Sequence, residues 1–173
     1  MNVLALLETW FDIIRLRKGP DAIPYSWILT LIALLLWLLS GLVIMLMTAE
    51  LDDQDYLVST FTGVVGLACY ASVVVLSGYT PRLLQTLTAI LGCGALIGFM
   101  YIAGAVFLTP FLGANIANIV VTLILLWSIP VEGHIIARAI ERHWYVGIVA
   151  ALAVFVFQLF LYGLLNPSAE TVT

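Results

Sequence analysis

The segment from Tyr25 to Met47, YSWILTLIALLLWLLSGLVIMLM, decides the class of fold. It contains no charged side chain, and it exceeds the roughly 20 helical residues that cross a hydrocarbon core of about 30 Å. Only helices and closed barrels satisfy every backbone N–H and C=O group in lipid. Because the segment lacks the polar–apolar alternation of a barrel strand, it predicts a transmembrane helix.

The composition of the whole chain supports the same class. Hydrophobic residues make up 64% of the 173 residues and charged residues 9%, whereas soluble domains have about 45–50% and about 25%. A soluble domain of this size could not hide so much apolar surface. The net charge of −4 also excludes a polybasic surface for nucleic acid. A soluble enzyme, a nucleic-acid binder and a disordered linker are therefore excluded, and an integral membrane protein remains.

Four further apolar segments follow the first one. We predict an all-α integral membrane protein, a bundle of five transmembrane helices with an N-terminal interfacial amphipathic helix at residues 1–18. Within a transmembrane domain at residues 25–165, the predicted spans are about 25–47, 56–76, 83–108, 111–131 and 144–165. Residues 166–173 form a short polar tail.

The distribution of basic residues predicts the orientation of these spans. The chain has six Lys and Arg residues. With five spans, all six fall in the N-terminal segment, the second loop or the fourth loop, which share one side of the membrane. By the positive-inside rule, the N-terminus is cytoplasmic and the C-terminus is outside. We expect a protein of the cytoplasmic (inner) membrane with a periplasmic C-terminus.

A basic collar is predicted at the cytoplasmic face, formed by the amphipathic helix, the second loop and the polar segment 132–143. We expect it to bind anionic lipid or a partner, because each Lys or Arg near an anionic leaflet contributes about 1 kcal/mol. The alternatives are a solvated helix with local ion pairs, which is the plainer interpretation, and a catalytic or metal site. The candidate binding residues are Arg15, Arg17, Lys18, Arg82, His134, Arg138 and Arg142.

The predicted spans themselves contain few polar groups. Asn115, Asn118 and Thr122 share one helix face, which we expect to turn inward as structural glue or as a polar path. Gly94 and Gly98 form a GxxxG pair that favours packing within the bundle over homodimerisation. Because the span centres contain no ionisable side chain, the sequence argues against a proton-coupled pump, a voltage sensor or a charge-selective pore.

No sequence motif indicates catalysis. The chain contains no HExxH, GxSxG, phosphate loop or dinucleotide-binding glycine pattern. Cys69 and Cys93 lie in apolar segments, where small buried hydrophobic residues are expected. We expect no enzymatic activity, no cofactor and no metal.

Two stretches resemble the Yip1-type family of small five-span membrane proteins. Residues 77–89, SGYTPRLLQTLTA, lead into a glycine-rich span and are similar to the junction of the second and third spans in bacterial members. Residues 127–139, WSIPVEGHIIARA, resemble a turn of short proteobacterial proteins of this type. The resemblance implies the five-span fold. The link of eukaryotic members to vesicle traffic and small GTPases is not carried over.

Three functions remain open from the sequence. The leading hypothesis is a non-enzymatic assembly, scaffold or membrane-organising subunit. It would contact membrane lipids and dock another membrane or cytoplasmic-face protein at the basic collar. The second is a transporter or lipid-handling subunit with a polar path along the fourth span. The third, an embedded enzyme using His134, Glu132 or His143, is least favoured. No nucleic-acid partner is expected, and a homo-oligomer remains an alternative.

Overall fold

The structure, a computed structural model, describes residues 3–47 and 53–166, and these residues form helices and short connections without any strand. The polar tail predicted at 166–173 lies almost wholly outside the described residues. The α-helices are α1 (Val3–Ile14), α2 (Trp27–Met47), α3 (Asp53–Leu76), α4 (Leu83–Leu126), α5 (Ser128–Ala139) and α6 (Trp144–Leu165). Single 3-10 turns at Pro20–Ala22 and Thr80–Arg82 precede α2 and α4.

Four helical segments among the described residues are long and apolar enough to cross a membrane. They are Trp27–Met47, Gln54–Leu76, Thr80–Ala139 and Trp144–Leu165. The all-α class and the presence of helices long and apolar enough to span a membrane therefore agree with the sequence prediction. The third segment has 60 residues, far more than one crossing requires.

This long segment folds back on itself at Gly113. Its φ of 74° and ψ of 158° lie in a backbone region that only glycine occupies without strain. The residues on either side pack together, because a Cβ atom on Gly104 would lie 2.9 Å from Val121 and 3.5 Å from Ile124. The prediction placed the break at Thr109–Pro110, but the helix runs through Pro110 to the glycine. We call residues 83–112 and 114–139 the two arms.

Small residues let α2 lie close to the first arm. Gly98 faces Ser40, and Gly94 faces the indole of Trp37. Farther along the same pair of helices, the buried hydroxyls of Thr30 and Thr88 hydrogen-bond at 2.7 Å. Each hydroxyl also lies within hydrogen-bond distance of a backbone carbonyl four residues earlier, that of Ser26 for Thr30 and that of Leu84 for Thr88. The prediction that Gly94 and Gly98 pack within the bundle is confirmed.

Helix α1 docks its apolar face on the protein. Trp10 and Ile13 are 1% and 0% exposed, and the indole of Trp10 occupies the space left by Gly92 of the first arm. The amphipathic pattern allowed this face to meet either acyl chains or protein, and protein is the outcome. The indole of Trp10 is thereby enclosed by protein. The buried hydroxyl of Thr9 donates a 2.8 Å hydrogen bond to the carbonyl of Ala5.

The second arm continues beyond its predicted end at Val131 and runs as α5 to Ala139. Most of α5 is buried: Val131, Gly133, Ile135, Ile136, Ala137 and Ala139. The interpretation of segment 132–143 as a solvated polar helix is therefore wrong for α5. Apolar side chains recur there at helical spacing, and α1, α3, α4 and α6 surround them.

Helices α5 and α6 form an antiparallel hairpin with a very close crossing. A Cβ atom on Gly147 would collide with the carbonyl oxygen of Gly133, and one on Gly133 would lie 2.9 Å from the Cα of Ile148. Two glycines opposite each other therefore permit backbone-to-backbone contact. This contact sets how deeply α5 sits in the bundle.

We predict that Gly147→Ala lowers the melting temperature of the detergent-purified protein. The added methyl group overpacks the crossing, which costs about 1–3 kcal/mol. Gly163→Ala is the matched control, because this exposed α6 glycine has no neighbouring atom where a Cβ would lie. Equal melting temperatures for the two variants would contradict the importance of the crossing.

Candidate solute-binding cavity and basic end

A carboxylate lies inside the helical bundle. Glu132 of α5 accepts a 2.6 Å hydrogen bond from the hydroxyl of Tyr70 in α3, and Tyr70 is 2% exposed. At about 1.5 Å of rise per residue, Glu132 lies about 10 Å from the end of α5. An ionisable side chain at such a depth is costly in lipid and commonly marks a functional site. The predicted fourth span ends at Val131, so the expectation of span centres without ionisable groups did not consider Glu132, which the structure includes in the long segment Thr80–Ala139.

A cavity of about 350 Å³ extends from Glu132 between α2, α3 and the two arms. Its wall combines hydroxyl groups with two aromatic rings and two carboxylates. The polar and aromatic lining residues are Trp37, Ser40, Asp55, Tyr56, Ser59, Thr60, Ser128 and Glu132. A volume of this size accommodates a small organic molecule. The wall mixes apolar surface with convergent polar groups, as binding pockets do.

A second cavity of about 90 Å³ borders the same carboxylate. Glu132 and Trp37 line both cavities, and Tyr70 lines the smaller one. Gln158 of α6 also lines it and donates a 3.2 Å hydrogen bond to the carbonyl of Thr62. Glu132 therefore borders both spaces.

The far end of the larger cavity is acidic. Asp55, near the start of α3, accepts a 3.1 Å hydrogen bond from the hydroxyl of Tyr162 and a further bond from the amide of Asn166. These bonds tie the start of α3 to the end of α6. No Lys, Arg or His is among the residues that line either cavity.

The basic residues gather at the opposite end of α3, and some of them bind within the chain. Arg82 forms a 2.6 Å ion pair with Glu141 and donates to the carbonyl of Ala139 at 3.3 Å. His134 bonds the carbonyl of Lys18 through its Nε2 at 3.0 Å. His134 thereby joins α5 to the segment after α1, and Arg82 joins the turn before α4 to the α5–α6 connection.

The pairing of Lys18 closes the turn after α1. Its ammonium lies 2.8 Å from the carboxylate of Asp12. The hydrogen bond from Lys18, with the nearby charges of Arg17 and Arg15, holds the pKa of Asp12 below its usual range. This ion pair is partly exposed, so its contribution to stability is small.

Five of the seven predicted binding residues are exposed at this end: Lys18, and four arginines, which are Arg15, Arg17, Arg138 and Arg142. Among the described residues, none of these four forms an ion pair. The other three, Lys18, Arg82 and His134, bind within the chain. The collar therefore divides into a structural part and an exposed part.

The predicted polar row does not turn inward. Asn115, Asn118 and Thr122 are all exposed on the second arm, and within the described chain they make no hydrogen bond. Their expected inward orientation is wrong, and no part of the row lines a cavity. Its assignment as a binding path stays a prediction.

The Glu132–Tyr70 pair was absent from the sequence predictions although a signal existed. Val131, Ile135 and Ile136 repeat at helical spacing and continue the apolar face of the second arm. Followed past Pro130, this periodicity would have kept Glu132 on a buried helix. Its partner in α3 is 62 positions away, and that pairing depends on helix packing.

Comparison with known proteins finds no matching family model, curated protein or solved structure. The resemblance to the Yip1-type family therefore stays a prediction. Among the described residues, no group of three or more His, Cys, Asp or Glu is arranged to hold a metal ion.

We predict that Tyr70→Phe destabilises the protein by about 1–3 kcal/mol, because the partly buried Glu132 loses its hydrogen-bond donor. The measurement is thermal unfolding in detergent. Tyr101→Phe is the control, since the Tyr101 hydroxyl has no hydrogen-bond partner among the described residues. If both variants unfold at the native temperature, the Glu132 hydrogen bond contributes nothing to stability.

Proposed function

We propose that this chain is a multi-pass membrane protein that binds a small solute inside its bundle, as a transporter or solute-handling subunit. The supporting observation is the cavity of about 350 Å³ that Glu132 borders within the membrane-spanning helices. The proposal keeps the transport alternative of the sequence analysis but moves the path from the exposed row on the second arm to the interior.

The topology of the proposal has five crossings. The two arms of Thr80–Ala139 pack against each other across Gly113, so each arm supplies one crossing and the other three segments supply one each. This is the count that the Yip1-type resemblance implies. By the positive-inside rule, the basic end faces the cytoplasm of an inner membrane and the C-terminus lies outside.

The lining of the cavity favours binding over catalysis. A serine or threonine hydroxyl becomes a nucleophile only when a general base lies within hydrogen-bond reach of it. Among the described residues, the hydrogen bond that Glu132 accepts comes from Tyr70 and not from a cavity serine or threonine. Hydroxyl groups such as those of Ser59 and Ser128 supply polar contacts along the wall. A non-enzymatic role is therefore part of the proposal.

We predict that Gly41→Leu abolishes solute binding. A Cβ at this cavity-lining glycine meets only Tyr56 at 3.5 Å, so the side chain can enter the cavity without a backbone clash. Binding at a hundredfold excess over Kd adds about 2.7 kcal/mol of stability. The assay measures melting temperature with monovalent cations, ammonium ions, amino acids and sugars.

Gly163→Leu is the matched control, because it places the same side chain on the exposed surface of α6. At least one solute should stabilise the native protein and the control but not Gly41→Leu. The proposal fails if no solute in the panel distinguishes the native protein from Gly41→Leu.

A second function, docking of anionic lipid or a partner protein as a membrane-organising subunit, is favoured by the exposed part of the collar. Arg15, Arg17, Arg138 and Arg142 leave four guanidinium groups without ion pairs among the described residues. Guanidinium groups bind phosphate through paired N–H donors. The predicted membrane contact therefore has a chemically suitable surface.

We predict that the double substitution Arg138→Ala/Arg142→Ala weakens retention of phosphatidylglycerol by about tenfold or more, since each cation contributes about 1 kcal/mol. Native mass spectrometry of the detergent-purified protein counts the retained lipids. The charge-preserving pair Arg138→Lys/Arg142→Lys should retain most of the binding. Unchanged retention by the alanine pair would remove the support for lipid docking.

A further inference from the structure

We propose that the solute is a small organic monocation of the ammonium type, and that it enters the cavity in exchange for a proton carried by Glu132. This inference rests on the proposed function and names its substrate class and its coupling. It is carried by a cavity that borders one interior carboxylate, and by the charges of the groups around that carboxylate.

The described groups around Glu132 do not include a counterion for its carboxylate. Glu132 faces Tyr70 from α3 and Cys93 from α4, and the larger cavity adds Asp55 and Tyr56. None of these groups carries a positive charge. From α6 the nearest polar group across the smaller cavity is the neutral amide of Gln158.

The other elements packed on α5 supply no cation either. Helix α1 carries Glu8 and Asp12, and the turn Pro20–Ala22 carries Asp21, but none of the three lines a cavity. On α5 itself, His134 bonds the carbonyl of Lys18, and Arg138 is exposed at the basic end. Among the described residues, Glu132 therefore has no cationic partner.

The carboxylate of Glu132 must be neutralised, because burying its charge is costly. A carboxylate removed from water is neutralised by a proton or paired with a cation, because its isolated charge is unfavourable by several kcal/mol. Tyr70 donates to Oε2, whereas Oε1 makes no hydrogen bond within the described chain. Oε1 is thus the atom that can hold the proton in the empty state.

The exchange is balanced in charge and atoms. The neutral carboxylic acid of Glu132 loses its Oε1 proton to water, and the resulting carboxylate pairs with the entering monocation. No covalent bond forms other than the O–H bond of the hydronium ion, and no electron is transferred. One proton leaves for each cation bound, so the site stays neutral in both states.

The size and the lining of the larger cavity indicate which kind of cation would bind beside Glu132. The volume of about 350 Å³ is far larger than a bare metal ion needs, and no group suited to hold a metal is present among the described residues. Trp37 and Tyr56 place two aromatic rings on the same wall, and such rings attract ammonium groups by cation–π interaction. An ammonium ion with a small organic body fits this combination better than sodium.

The test is calorimetric titration of the purified full-length protein with tetramethylammonium chloride, which has no proton of its own to release. Titrations in two buffers of different ionisation enthalpy give the number of protons released. At pH values where Glu132 of the empty site is protonated, we expect one proton to be released per cation and the affinity to fall about tenfold for each unit of pH decrease. Sodium chloride should bind at least tenfold more weakly.

Glu132→Gln keeps an acceptor for Tyr70 but removes the charge, so we expect at least a hundredfold loss of tetramethylammonium binding. The matched control, Glu8→Gln, alters an exposed residue outside the cavities and should bind as the native protein does. If Glu132→Gln does not fold, the proton count of the native protein still decides the inference.

The outcomes separate this inference from the proposed function. Cation binding without proton release, or with native affinity in Glu132→Gln, overturns the exchange while solute binding stands. Preference for a neutral solute or for sodium overturns the substrate class, and again solute binding stands. If no solute of any class distinguishes the native protein from Gly41→Leu, both proposals fail together.

Discussion

The close crossing of α5 and α6 is the contact on which the interior of this protein depends. Gly133 and Gly147 bring the two backbones together where any side chain would separate them. The crossing holds α5 among the other helices, and Glu132 therefore lies inside the bundle beside Tyr70. In lipid, where apolar side chains gain little from leaving the solvent, such close packing supplies much of the association between helices.

The spanning helices could be predicted from the sequence because hydrocarbon imposes a simple rule. Every apolar run of sufficient length must be helical, and this gave α2, α3 and α6 within a few residues of their observed bounds. The fold-back at Gly113 was harder to locate. Proline is the stronger helix breaker, so it drew the predicted boundary to Pro110, whereas the reversal uses the φ and ψ values that glycine alone adopts.

The interior site could not be predicted for a different reason. Average hydropathy falls after Val131, and a low average does not distinguish a solvated helix from a buried one with a single polar group. The same limitation applied to the polar row, where Asn118 was expected to face inward and is exposed. Which side of an apolar helix meets protein depends on its neighbours, and a sequence that is apolar all round contains little information about them.

The charges are divided along the axis of the bundle, and this division has a physical consequence. All six basic residues lie toward one end, whereas Asp55 lies toward the other and Glu132 between them. At about 1.5 Å per residue, Asp55 and the last residue of α3 are about 30 Å apart, comparable to the thickness of a hydrocarbon core. A cation that approaches from the basic end meets repulsion from exposed guanidinium groups, whereas one that approaches past Asp55 meets a cavity lining that contains two carboxylates and, among the described residues, no cation. The electrostatic field therefore favours entry of positive solutes from the acidic end and retention of anionic headgroups at the basic end. The two proposed functions use opposite ends of one molecule and do not compete for the same residues.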